Sequence, residues 1–340
     1  MIRKITELSK KHADISKHDP DQIERHAAAV RGQAPKFLIV SPIHRASQNQ
    51  QLLQFGQGDA FHATRIPGAP LSPPNSSPYL FGGPAAYNKL FPKETGIILT
   101  FDLDEAPDVI STSLDNVVKH PDLVGIPIIA LRVDYDAGRA RLIPHRYGRT
   151  YEIENYILKR INRPDVLDES TLVIICSDSR IAPPETPLGV PMAIQLLGAY
   201  LPPYDQSLVE LVQLDEFLRG WLAADIQKRG IIVVAHGNFE GDGPSCGAAE
   251  ASLSSEESSD NYLKSVVSRI SSDVLGLEGK PVSTPEERAI SIGTMTVNNL
   301  RTYPSILDVF RRNLVDDKFI GFLKMDTVTN VVSPYEIDPL

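Results

Sequence analysis

Short apolar runs recur along the chain, and each ends abruptly in polar or charged residues. They are Lys36-Phe-Leu-Ile-Val40, Gly96-Ile-Ile-Leu-Thr-Phe101, Ile128-Ile-Ala-Leu-Arg-Val-Asp134, Thr171-Leu-Val-Ile-Ile-Cys176 and Ile231-Ile-Val-Val-Ala235. Runs of this length, rich in β-branched residues and without a helical period, predict strands buried on both faces. Such strands belong to a mainly parallel sheet flanked by helices, so the fold class is α/β. Residues 1–34 are polar and predict a helical surface arm, with a helix start at Asp19-Pro-Asp-Gln. Gly58 to Arg65 reads as a further strand, Tyr79 to Leu90 as a short helix, and Ser113 to His120 as another helix. The turn at Asp136-Ala-Gly138 makes a hairpin of Ile128–Asp134 and Arg139–Ile143. Trp221 is expected to pack its helix on a sheet.

The order of these elements occurs twice. Leu172 to Arg180 lies on Phe37 to Arg45, placing Cys176 against Ser41 and Arg180 against Arg45. The stretch ending in His236 lies on the one ending in Asp102, and Gly321–Asp326 with Asn330–Ser333 repeats the earlier hairpin. The reading is an internal duplication: an arm over 1–34, a first repeat over 35–148 and a second over 149–340. The competing explanation is that any two α/β halves share strand, helix and strand.

Composition narrows the classes. The chain has 340 residues, 42% of them hydrophobic and 23% charged, with a net charge of -9. That balance fits a globular protein and argues against a nucleic-acid surface. No run approaches the ~20 apolar residues of a membrane helix, and Met1-Ile-Arg-Lys-Ile-Thr-Glu has no apolar signal core, so a cytoplasmic protein is expected. There are two cysteines, Cys176 and Cys246, and from Tyr151 onward one histidine, His236. A thiolate and imidazole site in the second half has its ligands almost forced. A disulfide is the competing use, disfavoured inside a cell.

The candidate chemistry gathers at the ends of two buried strands. The first delivers Cys176, Asp178 and Arg180 at alternate positions; the second delivers His236, followed by a glycine-rich loop and Cys246-Gly247. Two thiolates and an imidazole fill three positions of a tetrahedral metal and leave a fourth for water. Asp178 falls on the same side of an extended chain as Cys176, and Arg180 can hold it ionised. Taken singly, a buried Cys, a strand-borne His and an Asp-x-Arg pair are ordinary structural features. Here they coincide in the half that commits all its cysteine and histidine to them.

Cys176-Ser-Asp-Ser-Arg180 with His236 and Cys246-Gly247 resembles the CxDxR and HxxC zinc motifs of the β-class carbonic anhydrases. Phe55-Gly-Gln-Gly-Asp-Ala-Phe61 with Arg65, Pro73-Pro74 with Tyr79, and Leu300-Arg-Thr-Tyr-Pro304 resemble other stretches of that family. The resemblance implies one Zn2+ per chain on Cys176, His236 and Cys246, and reversible hydration of carbon dioxide to bicarbonate. Asp178 and Arg180 would form the orienting dyad, with Asp178 able in some members to swing onto the metal. The family works as a dimer whose subunits lend wall residues to each other's pocket. Here the two repeats would make that dimer within one chain, the ligand-free copy supplying Gln57, Phe61 and Tyr79 beside Gly247 as substrate-binding residues. A homodimer of such pseudo-dimers is a further assembly. Two departures stand out. Nine residues, Gly237 to Ser245, separate His236 from Cys246 where the family usually has two; Glu240 or Asp242 would then sit over the pocket or in a solvated loop. The first repeat has also lost the ligand set. Two other functions stay open on the same residues: hydrolysis of carbonyl sulfide or carbon disulfide, and a non-catalytic, zinc-stabilised interaction protein.

Overall fold

A computed structural model describes residues 1–30, 35–73, 96–120, 123–147, 151–239, 243–253, 267–272, 274 and 282–337. Among the described residues, ten strands form two five-stranded sheets. The first contains β1 (Phe37–Pro42), β2 (Ala60–Arg65), β3 (Gly96–Asp102), β4 (Ile128–Asp134) and β5 (Arg139–Leu142), in the spatial order β2-β1-β3-β4-β5. The second contains β6 (Leu167–Cys176), β7 (Val190–Leu196), β8 (Gly230–Gly237), β9 (Ile320–Asp326) and β10 (Val332–Pro334), in the order β10-β9-β8-β6-β7. In each sheet four strands are parallel and the last turns back as an antiparallel hairpin. The two sheets therefore share one topology. Their central strands are buried along nearly their whole length, as the apolar runs required.

Strand registers refine the correspondence between the halves. Phe37 pairs with Gly96, and Thr171 pairs with Gly230. Laying Gly96 on Gly230 keeps Asp102 on His236 but puts Pro42, not Ser41, at the position of Cys176. The sequence alignment was one residue out here because every residue in both runs is apolar or small, leaving no pattern to fix the slip. Ser41 instead accepts a hydrogen bond from Asn49 Nδ2 at 2.8 Å, in a buried network with Thr100 and Tyr135. At the end of β3, Asp102 is paired with His44 at 2.8 Å and Arg45 at 3.1 Å. A salt cluster thus stands where the second sheet has its thiols and imidazole.

The sheets meet along β2 and β7. The His62 amide donates to the Ser177 carbonyl at 3.1 Å, the Gln195 amide to Thr64 Oγ1 at 3.1 Å, and the Gly58 amide to the Ser179 carbonyl at 2.6 Å. Backbone from the first half therefore fastens the segment directly after Cys176.

The N-terminal helix Ile2–Ser16 is docked rather than loose. Ile5 is fully buried, Met1 and Ile2 lie where Gly230 and Gly321 leave no room for a Cβ, and Ser9 Oγ bridges Asn330 O and the Val332 amide at 3.1 Å each. The helix Pro285–Leu300 opens on a capping box between Thr284 and Glu287 and packs across β8. Gly293 on that helix faces the Phe322 ring, which occupies the space a side chain would need. Trp221, on the helix Val209–Ala224, is buried and donates to the Glu169 carbonyl at 2.6 Å. Among the described residues no helix is long and apolar enough to cross a membrane.

Candidate metal centre

β6 and β8 are adjacent parallel strands, so Cys176 and His236, each at its strand's carboxyl end, arrive at the same edge of the sheet. Cys246 immediately precedes the helix Gly247–Leu253. All three side chains are buried, and both cysteines are free thiols. Both Sγ atoms and one imidazole nitrogen lie within 4.8 Å of one another, the one such cluster among the described residues. Tetrahedral zinc bonds to sulfur and nitrogen place donor atoms roughly 3.3–3.8 Å apart, which fits inside that span.

Hydrogen bonding decides which nitrogen is available. His236 Nδ1 lies 3.1 Å from Thr327 Oγ1, whereas Nε2 is buried with no hydrogen-bond partner. The imidazole lies against the Cys246 sulfur, and each stabilises the charged form of the other. A cation shared by Nε2 and the two sulfurs takes up all three donors, so the residues present fit a zinc ion.

The sulfurs differ. Burial pushes the Cys176 thiol well above its ordinary value, reinforced by the negative charge of Cys246 and Asp178. Cys246 falls well below its ordinary value, chiefly because the Cys176 thiol donates to it, with His236 and the Ala249 amide adding to the effect against burial. The two directions place the proton shared by the pair on Cys176 rather than Cys246. Gly198 N–H also donates to Cys176 Sγ at 3.2 Å. Burial opposes charge on His236, but Cys246 and Asp178 outweigh it and the net shift is upward.

Asp178 and Arg180 form a buried ion pair beside this cluster. Asp178 Oδ1 accepts from Arg180 N at 2.8 Å and Nε at 2.9 Å, and Oδ2 accepts from Nη2 at 2.6 Å. Burial would raise the Asp178 carboxyl, yet these bonds hold it below the usual range. Oδ2 is 3.8 Å from His236 Nε2, too far for a hydrogen bond. The same Nη2 reaches the Ser245 carbonyl at 2.9 Å, one residue before Cys246.

The long excursion between His236 and Cys246 is tied at both ends by Glu286. Its Oε1 accepts from the Asn238 amide at 3.3 Å and from the Ser245 hydroxyl. Closing nine residues rather than two costs about 1.3 kcal/mol more in chain entropy. Bonds to a carboxylate at both ends, each worth about 1.5–3 kcal/mol, are sufficient to offset it. Nothing near Glu286 in the sequence advertised this role; only its place at the start of a helix that packs across β8 exposes it.

The residues assigned to the pocket wall are placed as follows. Gly247 is the first residue of the helix after Cys246. Phe61 is buried on β2, one residue before the amide that bonds Ser177, within the same apolar cluster as both cysteines. Gln57 is half-buried and donates to the carbonyls of Thr327 and Val328. Tyr79, Glu240 and Asp242 lie outside the described residues. Arg65 is paired with Glu105 and stacked on Phe101, all three in the first half of the chain. A cavity of about 520 Å3 between the N-terminal helices and the two halves reaches Arg180 and Gln57 but is lined by none of Cys176, Asp178, His236 and Cys246.

No family model matches the chain, and no curated protein matches it. Solved structures similar to it include one of two tetrameric beta-carbonic anhydrases from the filamentous ascomycete Sordaria macrospora, at 17% identity and a TM-score of 0.36, covering 48% of this chain and 79% of that one. The beta-carbonic anhydrase CcaA is similar at 22% identity and a TM-score of 0.34, covering 48% and 71%. A Coccomyxa beta-carbonic anhydrase in complex with acetazolamide is similar at 15% identity, with the same TM-score and coverage.

Proposed function

We propose that this chain is a zinc enzyme of the β-carbonic-anhydrase type, catalysing the reversible hydration of carbon dioxide to bicarbonate at one site per chain. The observation that carries the proposal is the buried convergence of Cys176, His236 and Cys246 beside an ionised, arginine-held Asp178. The CxDxR pattern in the sequence points the same way. Zinc held there supplies Lewis acidity toward water at neutral pH.

This chain's residues do the remainder. Thr327 fixes the imidazole so that Nε2 faces the metal position, and the two thiolates neutralise the ion's charge. Such a ligand set acidifies water less strongly than three neutral imidazoles, so a nearby proton acceptor gains importance. Asp178 supplies it. Both of its oxygens are engaged by Arg180, which suits an acceptor toward the fourth ligand rather than a ligand itself. Phe61 and Gly247 are proposed as walls against the substrate. The first repeat is then the partner half of an intrachain pseudo-dimer, contributing scaffold instead of a second metal. The test is metal analysis together with stopped-flow hydration of carbon dioxide, with carbonyl sulfide as the competing substrate. One zinc per chain with carbon dioxide turnover supports the reading, and zinc without turnover on either substrate overturns it.

A further inference from the structure

We infer that Gln57, in the repeat without metal ligands, is a positioning residue that sets the orientation of His236 in the other repeat, acting through Thr327. The inference rests on the metal-centre reading above. Gln57 Nε2 donates to the carbonyls of Thr327 at 3.0 Å and Val328 at 2.9 Å. A side-chain amide has two N–H groups, and both are spent here. The assignment of its nitrogen is forced, since the opposite flip would set oxygen against two carbonyl oxygens. No N–H of Gln57 is left for a substrate oxygen, which departs from the role its sequence position suggested.

The segment Gln57 grips is the one that holds the histidine. The Thr327 amide donates to the carbonyl of Gly237, next to His236, at 2.9 Å, and Thr327 Oγ1 meets His236 Nδ1 at 3.1 Å. Thr327 is fully buried, and the turn around it is closed internally by Asp326 Oδ1, which accepts from the Val328 and Thr329 amides at 3.1 and 2.9 Å. One residue beyond Gln57, the Gly58 amide is bonded to Ser179 O in the loop that follows Cys176. A single loop of the first repeat therefore braces two of the three ligand-bearing segments. A hydrogen bond at Nδ1 fixes the ring direction, and when Nδ1–H donates to the Thr327 hydroxyl the Nε2 lone pair is left for a metal.

The test uses the full chain and reads metal release, which needs no turnover. Zinc dissociation into a chelator and the visible spectrum of the cobalt-loaded protein are compared for wild type, Gln57→Ala, Thr327→Val, Thr327→Ser and the Gln57→Ala/Thr327→Val double variant. Loss of a ligand histidine's partner typically costs 10–100-fold in affinity, so Thr327→Val should speed release by about that factor and Gln57→Ala, one step further out, by about three- to tenfold. Thr327→Ser should restore wild-type release, and the double variant should release zinc no faster than Thr327→Val alone. Unchanged release and cobalt bands in Gln57→Ala, with KM for carbon dioxide raised, would make Gln57 a substrate donor and overturn the inference. So would additive effects in the double variant. If the variants show these effects while zinc-loaded wild type does not hydrate carbon dioxide, the proposed reaction fails and the role of Gln57 stands.

Discussion

Arg180 grips Asp178 with the Nε and Nη2 edge of its guanidinium and with its own backbone amide, while Nη2 also reaches the carbonyl of Ser245. The pair is buried, so its two halves are not interchangeable with neutral residues of other shapes. Asp178→Asn keeps the volume but removes the proton acceptor. It should retain one zinc per chain and lose about 10²–10⁴-fold in hydration rate, read by metal analysis and stopped flow. Asp178→Ala leaves a buried guanidinium unpaired and should cost about 3–5 kcal/mol of stability, read by chemical denaturation.

The shared proton of the sulfur pair predicts proton release on metal binding. Cys176 lies well above its ordinary value and is a thiol at neutral pH, and His236 is shifted toward the charged form. Both must be deprotonated to ligate. Zinc titrated into metal-free protein at pH 7 should release at least one proton per ion, measured with an indicator dye in weak buffer, and zinc affinity should fall as pH is lowered.

Glu286 holds the loop between two ligands without touching either. Glu286→Ala should speed zinc loss by about tenfold, as for other outer partners of a metal site. Glu286→Gln keeps an acceptor oxygen for the Asn238 amide and the Ser245 hydroxyl and should behave close to wild type. Chelator-driven release of zinc from both variants checks the contrast.

His62 supplies a pH dependence separate from the metal. It is buried on β2 beside Gln50 at 3.0 Å, and burial pushes its pKa down to about 3. A depressed histidine contributes stability that is fully present above its unfolded value of 6.5 and is lost as pH falls toward 3. Between those limits its contribution should decline by roughly 1.4 kcal/mol per pH unit. Urea midpoints of wild type should therefore drop more steeply than those of His62→Gln from pH 6 to 4.

Much of this was legible in the chain because buried parallel strands announce themselves as unbroken apolar runs. β1, β3, β4, β6, β8 and both closing hairpins lie within a residue or a few of their expected places. β7 went unread: Pro191 sits near its start and Gln195 near its end, so its seven residues carry neither alternation nor a clean apolar run. The cluster of Cys176, His236 and Cys246 was legible as a candidate because the second half contains no other Cys or His. Thr327 and Glu286 were not. Each acts through a hydrogen bond to a residue at least 41 positions away in sequence, and a polar side chain carries no mark of the distant group it will meet.

One divalent ion held by two sulfurs and one ring nitrogen would have a coordination shell readable from its bond lengths. Zinc-edge X-ray absorption on the loaded protein tests it most directly. Two sulfur scatterers near ~2.3 Å and two lighter ones near ~2.0–2.1 Å are the expected shell. A shell without sulfur, or a protein that takes up no zinc while its two cysteines remain reduced, would contradict it.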